Sequence, residues 1–367
     1  MILTQEIAYK EITSFFGSNP TPLVVLGTGT SCALDVRFGM NVLKKELIDK
    51  VPALIKGRSS LEKEWRDVIN ALLDDEDLEH AMDKAKTEEL VNIIVKIAGD
   101  LISSLDQEYY KKIYKGESIW PGAILFKRLV DRLPESDRAL HVVTSNYDML
   151  AEYAFEKNGI PYINGFWGNI FRKFNWEQSI QQIKLSKEIR LKGSKKTIIW
   201  NDLKHINLHK VHGSINTFWF NDEVVENNLW SWNPPENCER VLVTPGISKF
   251  AKLAHFRKEL VQQFDRILDN KDSFLFIGYG FNDTHIECYI HRKLKSQKCP
   301  GLIITRDNNE RIQKYLHDSD NLLLICMEEN SGNSGTRIFN KQYDDWLYLY
   351  DKQLWNIQEF TKELIGD

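Results

Sequence analysis

The sequence predicts an α/β protein built on a doubly wound parallel sheet with an inserted helical subdomain, and three observations carry that prediction. Short, continuous apolar runs recur along the chain: Leu23–Leu26, Ala139–Thr144, Ile206–Val211, Ser273–Ile277, Gly301–Thr305 and Leu322–Cys326. Such runs are the pattern of parallel strands buried on both faces. Helical patterns separate most of them, which is the alternation of a sheet covered by helices on both sides. Four of the strands end in polar or glycine-bearing turns, at Gly27–Ser31, Ser145–Asp148, His212–Ser214 and Gly278–Asp283. A Rossmann-like sheet binds its ligands at that end.

Taken in order, residues 5–16 read as a short helix, and Asn19-Pro20-Thr21-Pro22 breaks the chain before the first strand. A helix is expected from about 40 to 50. From 54 to 117 the pattern is helical, with Leu90, Ile93, Ile94, Ile97, Leu101 and Ile102 at three- and four-residue steps forming one apolar stripe. The acidic run Asp74–Asp77 fits a capped, solvated helix start, because its spacing is not that of a calcium loop. A helix near 119–133 precedes the second strand. Residues 165–204 are rich in aromatics and lysines without a clean period and read as a lid-like insertion or an oligomer contact. Asn216–Phe220 and Arg240–Val243 read as strands, and 250–268 as a helix. Asn330–Gly335 reads as a loop, and the chain is expected to close in helices. The expected organisation is one catalytic domain over 1–330, carrying the insertions at about 54–117 and 165–204, and a C-terminal helical extension over 331–367.

Composition narrows the function class. With 48 basic and 52 acidic side chains the net charge is −4, so the chain as a whole has no electrostatic attraction for nucleic acid. The five cysteines, Cys32, Cys238, Cys288, Cys299 and Cys326, include no C-x-x-C pair, which fits free thiols in a reducing compartment and neither a disulfide framework nor a zinc ribbon. The N-terminus lacks the pattern of a signal peptide, and no apolar run approaches membrane-spanning length. A cytoplasmic protein is the expectation.

The turns carry the candidate chemistry. Gly27-Thr28-Gly29 permits close backbone approach to a pyrophosphate, with the amides of the following helix offered to the anion, although a tight turn alone accounts for the same pattern. Cys32 stands where the dehydrogenase fingerprint needs its third glycine, and no Gly-Lys-Ser/Thr is present, so neither a plain dehydrogenase nor a P-loop enzyme is indicated. Asn146 and Asp148 lie two apart beyond a buried strand and can share one crevice, the asparagine holding a water or a ribose hydroxyl and the aspartate a carboxamide. Asp148 equally fits a helix cap. His212, between a strand and Gly213, is placed to act as a base, or is simply structural. His205, His209 and His212 resemble zinc spacing, but the alternation Ile206–Val211 is that of a strand and sends His209 and His212 to opposite sides.

Together these segments resemble the sirtuin family over roughly residues 20–290. Its Gly-Ala-Gly-Ile-Ser turn corresponds to Gly27-Thr28-Gly29-Thr30-Ser31, its Thr-Gln-Asn-Ile-Asp element to Thr144-Ser145-Asn146-Tyr147-Asp148, and its His-Gly to His212-Gly213. Its later ribose-binding turn corresponds to Gly278-Tyr279-Gly280-Phe281-Asn282-Asp283, in the same order along the chain. The resemblance implies NAD as substrate, with Gly27, Thr28, Gly29 and Ser31 cradling the pyrophosphate and Ser145 beside them. It implies Asn146 positioning a water or the nicotinamide ribose, Asp148 at the carboxamide and His212 as general base. Gly278, Gly280, Asn282 and Asp283 would hold the adenosine side.

Two departures shape the expected activity. The four zinc-binding cysteines of protein-deacylating sirtuins are missing, and so is the Pro-Asp-Phe-Arg stretch after the first turn, although Arg37-Phe38 lies nearby. These features look like the zinc-free, sirtuin-like NAD hydrolases of bacterial antiphage defence. That resemblance implies cleavage of NAD to nicotinamide and ADP-ribose, a homo-oligomer, and a sensor partner such as a HerA-like ATPase or an Argonaute-type protein. The rival readings are an NAD-dependent protein deacylase and a non-catalytic module in a nucleic-acid-associated assembly, the latter using the 165–204 segment to stack bases.

Overall fold

The computed structural model describes residues 3–73, 78–190, 196–242, 251–330 and 333–366. The expected cap at Asp74–Asp77 lies outside these residues. Among them the largest sheet has nine strands, in the spatial order 345–349, 333–340, 322–330, 301–304, 274–277, 23–26, 139–144, 205–210 and 162–163. The seven from 322–330 to 162–163 run parallel. The expected doubly wound sheet is therefore present.

Its strands are apolar throughout because both faces are covered. In the central strand Val24 and Leu26 enter one core and Leu23 and Val25 the other. Phe274 and Phe276 alternate with Leu275 and Ile277 in the same way. From 23–26 the chain builds outward through 139–144 and 205–210, then crosses back to add 274–277 on the opposite side. The strand order thus reverses between 23–26 and 274–277, and the loops beyond their carboxyl ends diverge to leave a crevice.

The helical insertion begins earlier than the sequence suggests, at Met40, and comprises Met40–Ile55, Ser59–Leu73, Leu78–Met82 and Glu88–Lys115. These helices enclose their own core around Leu47, Val51, Trp65, Val68 and Ile94. Asp106, fully buried, ties the insertion to the sheet layer by accepting from the Met149 amide at 2.8 Å, the Tyr153 hydroxyl at 2.6 Å and the Trp232 indole at 2.9 Å. Burial pushes its carboxyl up to about 6.

The C-terminal expectations are corrected. The C-terminal segment is not a helical extension. Asn333–Asn340 and Asp345–Leu349 continue the sheet antiparallel to 322–330, and only Ile357–Phe360 and the turn after it are helical. The reading of 330–335 as a loop fails with it, because Asn333–Gly335 are in the strand. Cross-strand contacts account for the pairing: Phe339 meets Trp346 at 5.0 Å, and the Arg337 guanidinium lies 5.0 Å over the Trp346 ring. The 165–204 stretch is also more regular than a lid. Phe166–Gly168 and Arg172–Phe174 join 213–220, 223–226 and 239–242 in a second, antiparallel sheet, while Lys184–Arg190 and Lys196–Asp202 pair only with each other.

Candidate active site

A cavity of about 540 Å³ opens in the crevice at the strand reversal, within the range of small-molecule sites. Gly27, Thr28, Gly29 and Ser145 form one side, and Gly278, Gly280, Asn282 and Asp283 the other. These eight are sequence-predicted site residues. Asn146, Asp148, Ser31 and His212 stand behind the wall.

Both glycine turns are needed to bring backbone against backbone. The Gly29 amide donates to the Gly278 carbonyl at 2.9 Å, and the Gly278 amide to Ile304 at 2.8 Å. A Cβ at Gly27 would lie 2.3 Å from the Gly278 oxygen, and one at Gly29 would lie 2.7 Å from it. Gly278 also has φ +57, a region that L side chains enter only at a cost. Four amides of the expected cradle are already used within the fold. The amides of Gly27, Gly29, Thr30 and Ser31 donate to Ile277, Gly278, Gly27 and Thr28, and the helix they open, Gly29–Cys32, is one turn long. The two glycines make room for the Gly278 backbone, and these four amides are engaged.

Ser31 is likewise displaced from its expected role. It is buried, and its hydroxyl donates to Asp148 at 2.7 Å. The other oxygen of Asp148 accepts from the Leu150 amide at 3.2 Å, so this aspartate caps the following helix and clamps the first turn. The helix-cap alternative describes its contacts. Beneath it Lys210 bonds the Asp148 carbonyl and lies 2.7 Å from Glu152, an ion pair buried on both sides.

Asn146 links the same turns. Its amide nitrogen donates to the Gly27 carbonyl at 3.1 Å and to the hydroxyls of Thr30 and Ser31 at 3.2 Å. Its Oδ1 is buried and accepts no hydrogen bond among the described residues. His212 follows the 205–210 strand and is fixed by what comes next. Gly213 has φ +77, and a Cβ there would lie 2.1 Å from the Val241 carbonyl. The Ile215 amide and the Ser214 hydroxyl both bond the Tyr147 carbonyl, which seats the His212 turn beside Asn146. His212 Nε2 lies 3.0 Å from Asp283 Oδ2, with both residues buried.

His209, another member of the apparent zinc spacing, points elsewhere. It stacks on Trp176 at 4.7 Å, and its Nε2 meets His141 Nδ1 at 3.3 Å. Burial holds His141 down to about 4 and His209 well below the ordinary histidine range. Among the described residues no three His, Cys, Asp or Glu are grouped to hold a metal.

The rest of the wall escaped the motif reading. Thr305, Arg306 and Asp307 follow the 301–304 strand, Asn309 donates to the Gly280 carbonyl at 2.9 Å, and Trp355 and Asn356 enter from the C-terminal segment. The first group had a signal, since it stands at the carboxyl end of a predicted parallel strand. The C-terminal pair had none.

A family model described as a SIR2-like domain matches residues 140–324, half of the chain. The match takes in Asn146, His212 and the Gly278–Asp283 turn. No curated protein matches the chain.

Proposed function

The chain belongs to the SIR2-like domain family, whose members use NAD, and from that premise we propose that it is an NAD glycohydrolase. The reaction is cleavage of the nicotinamide–ribose bond to nicotinamide and ADP-ribose. The observation that carries the proposal is the meeting of the Asn146 and His212 turns behind a cavity walled by two glycine turns. The buried Oδ1 of Asn146, which accepts no hydrogen bond among the described residues, and a cavity of about 540 Å³ between the two glycine turns both fit a dinucleotide. Gly27–Gly29 and Gly278–Gly280 would line its phosphates, and Asn282, Asp307 and Asn356 offer polar contacts to sugars and base.

When bound, NAD supplies a pyridinium leaving group that departs neutral. The chain's part is orientation and proton handling. Asn146 Oδ1 accepts a hydrogen bond from a water or hydroxyl and so orients it. His212 accepts a proton from a ribose hydroxyl or the water, and the buried setting keeps those groups in one arrangement. Hydrolysis is preferred to deacylation because the sequence lacks the four-cysteine zinc set of protein-deacylating sirtuins. We place this activity in antiphage NAD depletion by a homo-oligomer, gated by a sensor protein such as a HerA-like ATPase or an Argonaute-type protein. An unregulated enzyme of this kind would exhaust its own cell.

The test is release of nicotinamide and ADP-ribose from NAD by the purified chain, alone and with the product of a neighbouring gene, against Asn146→Ala. The expected result is release by the wild type and at least ~10²-fold less by the variant at an unchanged melting temperature. Turnover that requires an acetylated peptide would replace hydrolysis by deacylation. Equal release by both proteins would remove Asn146 from the site.

A further inference from the structure

We infer that Asp283 is the positioning residue of His212 and not a ligand of the adenosine ribose. The inference rests on the NAD-cleaving reading above and assigns this aspartate a new task within it. Four observations converge. The carboxylate oxygen Oδ2 stands 3.0 Å from His212 Nε2. Asp283 is 3% exposed and His212 9%, so water screens their contact little. The second oxygen, Oδ1, accepts from the Ile286 amide at 3.3 Å, which fixes the carboxylate at the start of the Thr284–Ser296 helix. The turn delivering Asp283 is held stiffly. Phe281 has φ +55 and a fully buried ring, packed 4.5 Å from Tyr315, 4.8 Å from Phe276 and 5.0 Å from Tyr279. A bulky residue stays in that conformation only where its surroundings over-determine it, and such places cluster at functional sites.

The chemistry follows from the two ring nitrogens. With Nε2 held 3.0 Å from the carboxylate oxygen, the negative charge favours the tautomer that carries its proton on Nε2 and leaves Nδ1 as the nitrogen that takes up a proton. As His212 becomes imidazolium the adjacent negative charge stabilises it, without itself being protonated. The proton moves from a hydroxyl of the substrate or water to His212, and Asp283 changes neither its protonation nor its bonding partner.

Asp283→Asn tests this role, because asparagine keeps the Oδ1 acceptor for the Ile286 amide and replaces the charged acceptor facing His212 with a neutral amide donor. Three readouts apply: kcat for nicotinamide release, ADP-ribose affinity by calorimetry, and the 15N shifts of the His212 imidazole. Positioning predicts a kcat lowered ~10²–10⁴-fold. It predicts an ADP-ribose Kd within about threefold of wild type, and a His212 spectrum that shifts toward the opposite tautomer. An affinity lowered tenfold or more (about 1.4 kcal/mol) at retained kcat overturns it in favour of ribose contact. So does an unchanged imidazole spectrum. A wild type that releases no nicotinamide refutes the functional reading alone, since the 15N spectra and ADP-ribose titration still decide what Asp283 does.

Discussion

Gly278→Ala tests whether the cavity is built by packing one turn on another. At φ +57 an alanine costs about 1–2 kcal/mol for the left-handed conformation alone. Its Cβ would also lie 2.7 Å from the Thr30 nitrogen, 2.8 Å from the Gly29 carbonyl carbon and 2.9 Å from its Cα. All three are backbone atoms, so relief requires the Gly27–Gly29 turn to move, at a further ~1–3 kcal/mol by analogy with overpacked cores. The sum is about 2–5 kcal/mol. Gly57→Ala is the control, because Gly57 has φ +81 but nothing within 4 Å of its Cβ position. It bears only the conformational cost. Denaturant unfolding of both variants, with ADP-ribose titration, separates the two contributions. The expected result is a Gly278 variant less stable than the control by at least ~1 kcal/mol and with at least tenfold weaker ADP-ribose binding. Equal stability of the two variants with undiminished ADP-ribose binding would refute the claim that the turns need this close approach.

Two further perturbations probe the layers under the site. His141 is held down to about 4 against an ordinary 6.5, so the unfolded chain binds its proton more readily. Its contribution to stability is lost as pH falls from 6.5 towards 4, by about 2 kcal/mol between pH 7 and pH 5. His141→Phe keeps the stack on His209 and removes that titration. Relative to wild type it should gain about 2 kcal/mol over the same interval, read by urea unfolding at both pH values, and a pH-independent difference contradicts the assignment. The pair of Lys210 and Glu152 is buried at both ends, so Lys210→Met should cost about 3–5 kcal/mol by stranding the carboxylate. Adding Glu152→Leu should restore most of it in the same unfolding assay, and no cost from the single variant rejects the pair as a structural tie.

The fold was legible where the physics is local. Runs such as Leu23–Leu26 and Phe274–Ile277 are apolar at every position because helices cover both sheet faces, and no other common element has that signature at that length. Strand ends could then be located, and with them most of the wall. The C-terminal strands were not legible, because 333–340 and 345–349 mix polar and apolar residues without a clean alternation and their antiparallel pairing is settled by cross-strand contacts such as Phe339 with Trp346. Within 165–204 the strands 166–168 and 172–174 were not legible, since three residues are too short to show a period. Gly27 and Gly29 were read as glycines for an anion. A glycine required by a neighbouring backbone looks the same in sequence as one required by a phosphate, because both reduce to the absence of a Cβ.

That ambiguity bears on how the site works. The first turn uses the amides of Gly27, Gly29, Thr30 and Ser31 in bonds within itself and to Ile277 and Gly278, which hold its shape. Asn146 reinforces this by bonding the Gly27 carbonyl and two hydroxyls of the same turn, with Oδ1 left over. The second turn reaches both parts of the site, since Gly278 closes on the first turn and Asp283, five residues later, meets His212. A displacement at Gly278 is therefore carried toward His212 through a segment stiffened by the Phe281 ring. The Gly278→Ala and Asp283→Asn experiments are coupled by this turn. If it is rigid, Gly278→Ala should disturb the His212 tautomer as well as ADP-ribose binding. If it yields between Gly280 and Phe281, only the binding should change.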